Sequence, residues 1–390
     1  MELKKRGCDM KLIIHDLSPD QWEAIKEEYG ECTVISDHGT IHPCTGCFGC
    51  WNKTPGTCVM HDGYENMGML IHHADEVIVI SRYTYGGFSG FVKNVFDRSL
   101  GYVLPHFELV HGESHHQKRY DEEKPYTFIF YGHDLSESEK AAARRYARAV
   151  TTNMRTWVKN VIFRECPEDP RPEVTKNETP NSRVILLNAS MRCKDGNSAK
   201  LARQLSEQLN KENETVSLAR YLNQTEDLIR LLEEDSDLVL CMPLYVDGLP
   251  SQLIRLMEQM SKNYHGASKR IYVLANMGLF EPGQLVNLFE AVHQWCKAMG
   301  FEYCGGLGIG AGELVGGFME AVPFGKWPLT KIAEGMDRLS EAIKSGTVID
   351  DIYCGPNHFP RSLYMAIANS GWKRMAKQNG IREQDLYRRL

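Results

Sequence analysis

Four cysteines, Cys44, Cys47, Cys50 and Cys58, stand in a C-x2-C-x2-C-x7-C pattern within CTGCFGCWNKTPGTC. Four thiolates at that spacing can converge on one centre, as iron–sulfur clusters require. Zinc accepts four thiolates as well, and a metal-free loop of small half-buried thiols is the third alternative. A second segment with chemical potential is NASMRCKDGNS, ending at Ser198. Between a strand and a helix, its Ser, Asn and Gly residues aim backbone N–H groups and hydroxyls at an anion, and Arg192 and Lys194 add positive charge. His61, His72 and His73 lie near the cysteine segment but read as solvated side chains. No convincing acid–base dyad stands out. Cys8, Cys32, Cys166, Cys193, Cys241, Cys296, Cys304 and Cys354 are scattered and read as core thiols.

The elements that must position these groups occur twice. At an offset of 162, DEVIVI followed by SRYTYGGFSGFVKNVFDR matches DLVLCM followed by PLYVDGLPSQLIRLMEQM. In that register Tyr83 meets Tyr245, Gly86 meets Gly248, Ser89 meets Ser251 and Lys93 meets Arg255. Each copy reads as a buried strand, a Tyr/Gly turn and an amphipathic helix. Around both units strands alternate with helices, which predicts α/β architecture: two tandem doubly wound domains, each with a five-stranded parallel sheet. The expected boundaries are residues 1–165 for the first domain, 166–182 for a Pro- and charge-rich linker, 183–350 for the second domain and 351–390 for a C-terminal helical arm that wraps a neighbour. A long helix is expected from Ala141 to Lys159.

The two copies differ at the first strand–helix junction. In the first copy, HDLSPDQW offers Ser18 as N-cap, Pro19 in the first turn and Gln21 as capping-box partner. That helix satisfies itself, and Asp16 and Asp20 would repel an anion. One anion site is therefore expected, on the second copy. The long cysteine-bearing insertion belongs to the first copy alone.

Composition narrows the function classes. With 45 Lys+Arg against 51 Asp+Glu, a formal charge of −6 and no long basic run, a nucleic-acid surface is not expected. No stretch reaches the apolar length of a membrane span, and MELKKRGCDMKLII lacks a signal-peptide core. A cytoplasmic location is expected, with the twelve cysteines reduced.

The segments CTGCFGCWNKTPGTCVMHDG, HADEVIVISRYTYGGFSGFVKNVFDR, LLNASMRCKDGNSAKLA and CMPLYVDGLPSQL resemble the NADPH-dependent FMN reductases of the flavodoxin-like superfamily over most of residues 10–350. The cysteine loop also resembles that of the iron–sulfur flavoproteins of this superfamily, which hold a [4Fe–4S] cluster on Cys44, Cys47, Cys50 and Cys58 if the match carries over. The resemblance implies FMN on the second domain, with its phosphate on Ser190, Arg192, Asn197, Ser198 and Ala199. Its ring would meet Pro243, Leu244, Tyr245, Asp247 and Gly248, and Asn276, Met277, Gly278 and Glu281 would close the other edge. The first copy has Ser81-Arg82 where the family has a proline-containing step, so no second FMN is expected there.

The implied activity is an NAD(P)H-dependent FMN reductase-like oxidoreductase acting on a small quinone, flavin or nitroaromatic acceptor. The alternatives are an iron–sulfur flavoprotein electron carrier with a ferredoxin-like partner, or a flavin-free scaffold with a zinc-bound cysteine loop. Family members pair two flavodoxin folds, here as an internal pseudo-dimer or between two chains. The cysteine loop and Tyr83, Tyr85 and Gly86 are then expected over the flavin as a substrate pocket.

Overall fold

In a computed structural model, the described residues are 10–166, 183–192, 196–210, 212–234 and 236–390. Cys8, Cys193, Lys194 and the linker beyond Cys166 lie outside them. The first sheet uses β1 (Lys11–His15), β2 (Cys32–Ile35), β3 (Glu76–Arg82), β6 (Pro125–Gly132) and β7 (Trp157–Glu165). An antiparallel hairpin, β4 (Val103–Val110) and β5 (Glu113–Lys118), stands apart from it. Its helices are α1 (Pro19–Ile25), α2 (Gly49–Asn52), α3 (Met67–His73), α4 (Gly90–Asp97) and α5 (Glu137–Asn153). The second sheet uses β8 (Arg183–Asn188), β9 (Asn213–Ser217), β10 (Ser236–Pro243), β11 (Arg270–Asn276), β12 (Glu302–Ile309) and β13 (Ile352–Cys354). Its helices are α6 (Asn197–Gln208), α7 (Thr225–Glu233), α8 (Ser251–Asn263), α9 (Val286–Met299), α10 (Gly312–Ala321) and α11 (Thr330–Ser345), and α12 (Arg361–Gln378) follows.

Strand order is β2-β1-β3-β6-β7 in the first sheet and β9-β8-β10-β11-β12-β13 in the second, parallel throughout. Both reproduce the flavodoxin-like order 2-1-3-4-5, with β13 added at one edge of the second. The chain is thus an α/β protein of two tandem flavodoxin-like units. Because β13 reaches Cys354, the second sheet extends past the expected boundary at residue 350. The helix expected to run to Lys159 ends at Asn153. Arg155 there turns to φ 58°, which a right-handed helix cannot accommodate, and β7 takes over at Trp157.

The structure also corrects the register of the repeat. Thr84 pairs with Gly87 in one turn and Tyr245 with Gly248 in the other. The central residues, Tyr85 and Gly86 against Val246 and Asp247, all have positive φ, as a type I′ turn needs. Equivalence therefore runs at one residue less than 162, so Tyr245 corresponds to Thr84 rather than Tyr83. Similar side chains matched, but backbone conformation decides the pairing.

The units share their cores. Val246 of the second packs into the first core, and Phe107 of the β4–β5 hairpin packs into the second. Helix α12 inserts Tyr364 into the second core and Trp372 into the first. Each such buried ring stabilises the docking by roughly 1.5–3 kcal/mol. The chain's last residues lie against the first domain: Arg119 Nη1 donates to the carbonyls of Leu386 and Arg388, both at 2.8 Å. Among the described residues, no helix is long and apolar enough to cross a membrane.

Candidate functional site

The carboxyl ends of β8, β10 and β11 open into a cavity of about 550 Å³. Ligands of open α/β sheets bind at this place, where the strand order reverses, and the volume suits a small-molecule site. One wall is the β8–α6 junction, with Ser190, Arg192, Gly196, Asn197 and Ser198. Gly196 is the N-cap of α6 and supplies no side-chain cap. Among the described residues, no side chain caps the first N–H groups of that helix, which carry partial positive charge. At the matching helix of the first domain, Ser18 and Gln21 close the capping box expected from the sequence. A Cβ at Gly196 would lie 3.0 Å from Ser190 Oγ, so the loop is drawn tightly around that hydroxyl. Asn276 Nδ2 donates to Ser198 Oγ at 2.7 Å and fixes the second hydroxyl.

Pro243, Leu244 and Tyr245 continue the lining from the end of β10, and Asn276, Met277 and Gly278 from the end of β11. Opposite them stands the first domain's cysteine loop, with Cys44, Gly46, Phe48 and Trp51. Gly46, at φ +63°, comes so close to Tyr245 that a Cβ would fall 2.2 Å from its hydroxyl oxygen. Arg192 fastens the two domains here. Its Nε donates to the Gly46 carbonyl at 2.7 Å, and its guanidinium lies 4.5 Å from the centre of the Phe48 ring. An ion pair to Glu313 at 3.4 Å completes its contacts.

Not every expected residue reaches the cavity. Ala199 sits behind Ser198 on α6, and Gly248 closes its turn against the Tyr146 ring. Asp247 turns into the domain interface beside Asn153 and Lys93, where burial pushes its carboxyl up to about 7. Glu281 accepts from Ser114 N at 2.8 Å and from Arg361 at 2.9 Å, which ties the β4–β5 hairpin and α12 to the second domain. Tyr83, Tyr85 and Gly86 do not line the cavity. The Tyr85 hydroxyl instead meets Ser261 and the Met257 carbonyl on α8. The register correction explains this, because the β3–α4 turn joins the interface between α4 and α8.

Cys44, Cys47, Cys50 and Cys58 all line a second, much smaller cavity of about 20 Å³. Cys44, Gly46, Phe48, Asp97 and Leu100 face both spaces, so the two share a wall. Burial pushes the Cys44 thiol up to about 12 and holds Cys50 well above the usual thiol range. Arg98, locked bidentately to Asp62 at 2.8 Å, donates to Cys58 Sγ at 3.1 Å. Among the described residues, no three His, Cys, Asp or Glu side chains are grouped to hold a single metal ion.

Reading the sequence missed a third contributor. Phe107 and His116 of the hairpin and Tyr364, Ile367, Ala368, Gly371, Trp372, Arg374 and Met375 of α12 also line the main cavity. Only the expectation that the arm wraps a neighbour pointed that way.

A scan against protein-family models finds no match, and a search of curated proteins finds none either. Solved structures with similarity include the Trp repressor binding protein from Bacillus subtilis, with 18% identity over 33% of this chain and 83% of that one, at TM-score 0.28. An azoreductase from Bacillus anthracis str. Sterne is 13% identical over 42% of this chain and 99% of that one, at TM-score 0.30. A flavone reductase is 10% identical over 47% and 70%, at TM-score 0.31.

Proposed function

We propose that the chain is an FMN-dependent NAD(P)H oxidoreductase that passes hydride or electrons to a small quinone, flavin or nitroaromatic acceptor. One FMN belongs on the second domain, and the first domain serves as its degenerate partner. The observation that carries the reading is the uncapped N-terminus of α6 opening into the same cavity as Tyr245 and Asn276. The residues fit the group. Ser190, Asn197, Ser198 and Arg192 offer hydroxyl, amide and cationic donors to a phosphate, while Leu244, Tyr245 and Met277 offer an apolar face to a ring.

Bound flavin supplies reversible hydride and one-electron chemistry. The chain binds, orients and excludes water. Asn276 holds Ser198 in place at 2.7 Å. Arg192 presents its charge while bracing the cysteine loop, and α12 walls off the cavity through Tyr364 and Trp372.

The shared wall favours a second reading, an electron carrier with a [4Fe–4S] cluster on Cys44, Cys47, Cys50 and Cys58. The buried Cys44 and Cys50 thiols ionise only where a metal's charge offsets the loss of water.

One measurement separates the readings: the visible spectrum of protein purified without oxygen, before and after reduction, with iron, zinc and sulfide analysis of the same sample. A two-banded flavin spectrum without iron is expected for the reductase. Broad added absorbance that bleaches on reduction, with iron and sulfide, would establish the carrier. A colourless protein that refuses added FMN would overturn both.

A further inference from the structure

We propose that the part of the main cavity walled by the cysteine loop, the β4–β5 hairpin and α12 is an acceptor subsite for a planar aromatic ring system carrying an anionic substituent. Six rings form its wall: Phe48, Trp51, Phe107, His116, Tyr364 and Trp372. They are in mutual contact. Phe48 stacks on Trp51 at 5.2 Å, Trp372 meets both edge-on at 5.1 and 5.2 Å, and His116 bridges Trp51 and Phe107 at 4.6 and 4.9 Å. Offset and edge-on contacts of this kind accept a further flat ring at low cost, because each ring keeps its face or edge presented.

The origin of the rings matters more than their number. Phe48 and Trp51 come from the cysteine insertion, Phe107 and His116 from the β4–β5 hairpin, and Tyr364 and Trp372 from α12. None of these segments belongs to either repeated sheet. Three unrelated additions to two copies of one plan converge on one side of one cavity, which marks that side as the part specific to this chain. His116 adds no charge. Burial pushes its imidazole down to about 4, and it lies 3.2 Å from the Pro105 carbonyl.

Charge at the rim supplies the second half of the inference. The lining carboxylates are Asp97, paired with Lys93, and Glu313, paired with Arg192. Arg374, two residues after Trp372 on α12, lines the cavity and stays exposed, without an ion pair or hydrogen bond among the described residues. A guanidinium with no partner among the described residues, beside an aromatic wall, matches a carboxylate or sulfonate on the bound ring.

The inference deepens the oxidoreductase reading by naming the acceptor's class, and its redox role rests on that reading. Binding can be tested without turnover, by calorimetric titration of the full chain with naphthalene-2-sulfonate and with 2-naphthol. The sulfonate is expected to bind more tightly. Arg374→Gln is expected to weaken the sulfonate about fivefold, the upper range for an exposed ion pair, and to leave 2-naphthol unchanged. Arg374→Lys should recover most of the loss. Trp372→Leu, checked for folding by thermal melting, should weaken both probes.

Equal affinity for the two probes, or sulfonate binding that ignores Arg374→Gln, would overturn the proposal. A variant that weakens the pyridine nucleotide alone would likewise overturn the assignment to the acceptor. A colourless chain that still discriminates the probes through Arg374 would support the subsite and remove only its redox role.

Discussion

The Asp97 carboxylate accepts a hydrogen bond from the Ser251 backbone N–H at 3.1 Å across the domain boundary, and in the opposite direction the Gly90 N–H donates to the Glu258 carboxylate at 3.3 Å. Ser251 begins α8 and Gly90 begins α4, so each helix caps the other's first turn about a pseudo-twofold axis. The tandem chain thus builds internally the reciprocal contact that a symmetric dimer would make twice.

The two halves of this contact are predicted to be unequal. Asp97 also pairs with Lys93, and neither side chain is exposed, so Asp97→Asn strands a buried ammonium. The expected cost is roughly 3–5 kcal/mol in denaturant unfolding. Glu258→Gln keeps an acceptor for Gly90 and should cost about 1–2 kcal/mol. Similar losses from the two variants would contradict the role given to Lys93.

Gly46→Ala is expected to lower stability by about 1–3 kcal/mol, since it combines a left-handed backbone with a Cβ 2.2 Å from the Tyr245 hydroxyl. Tyr245→Phe removes the obstructing oxygen. The double variant should regain part of the loss in thermal melting, whereas strictly additive effects would mean that the two residues do not press on each other.

Sequence patterning reached the sheets because they are built from buried aliphatic runs such as Val77–Ile80 and Val184–Leu187, whose neighbours in the chain set their conformation. The capping asymmetry between Ser18 and Gly196 was equally legible, since caps act within one turn. The register of the repeat was not. Tyr83 and Tyr245 look alike, yet only the positive φ values of Tyr85 and Val246 show which residues share a place in the turn. The aromatic wall was hidden for another reason. Helix α12 divides its apolar side chains among two cores and a cavity, so Tyr364, Ile367 and Trp372 form no single stripe. Contacts between segments far apart in the chain leave no periodic signal.

Arg192 joins the β8–α6 loop to the cysteine loop, and its removal should act on both. Arg192→Ala is expected to weaken FMN about ten- to a hundredfold, the range for a lost charge-assisted hydrogen bond, and Ser198→Ala should weaken it further. Because Arg192 also holds the Gly46 carbonyl, Cys47, the exposed thiol of the loop, should alkylate faster in Arg192→Ala than in the parent chain. Flavin fluorescence titration and timed alkylation read the two effects separately. Retained flavin with both substitutions would remove the phosphate-site assignment.

Asp247 gives the chain a pH dependence whose sign follows from its surroundings. It is 3% exposed, in the interface beside Asn153 and Lys93, and burial pushes its carboxyl up to about 7, against about 3.9 in an unfolded chain. Below pH 4 both states hold the proton and Asp247 costs nothing. Between pH 4 and 7 the unfolded state releases its proton while the folded state keeps it, so the contribution to stability falls as pH rises and levels off above 7. Asp247→Asn removes this dependence. The variant should match the parent near pH 4 and exceed it near pH 8 by up to roughly 3–4 kcal/mol, in line with about three pKa units. Denaturant unfolding across that range checks it. A stability difference that shrinks toward pH 8 would mean that Lys93 holds Asp247 ionised in the folded chain.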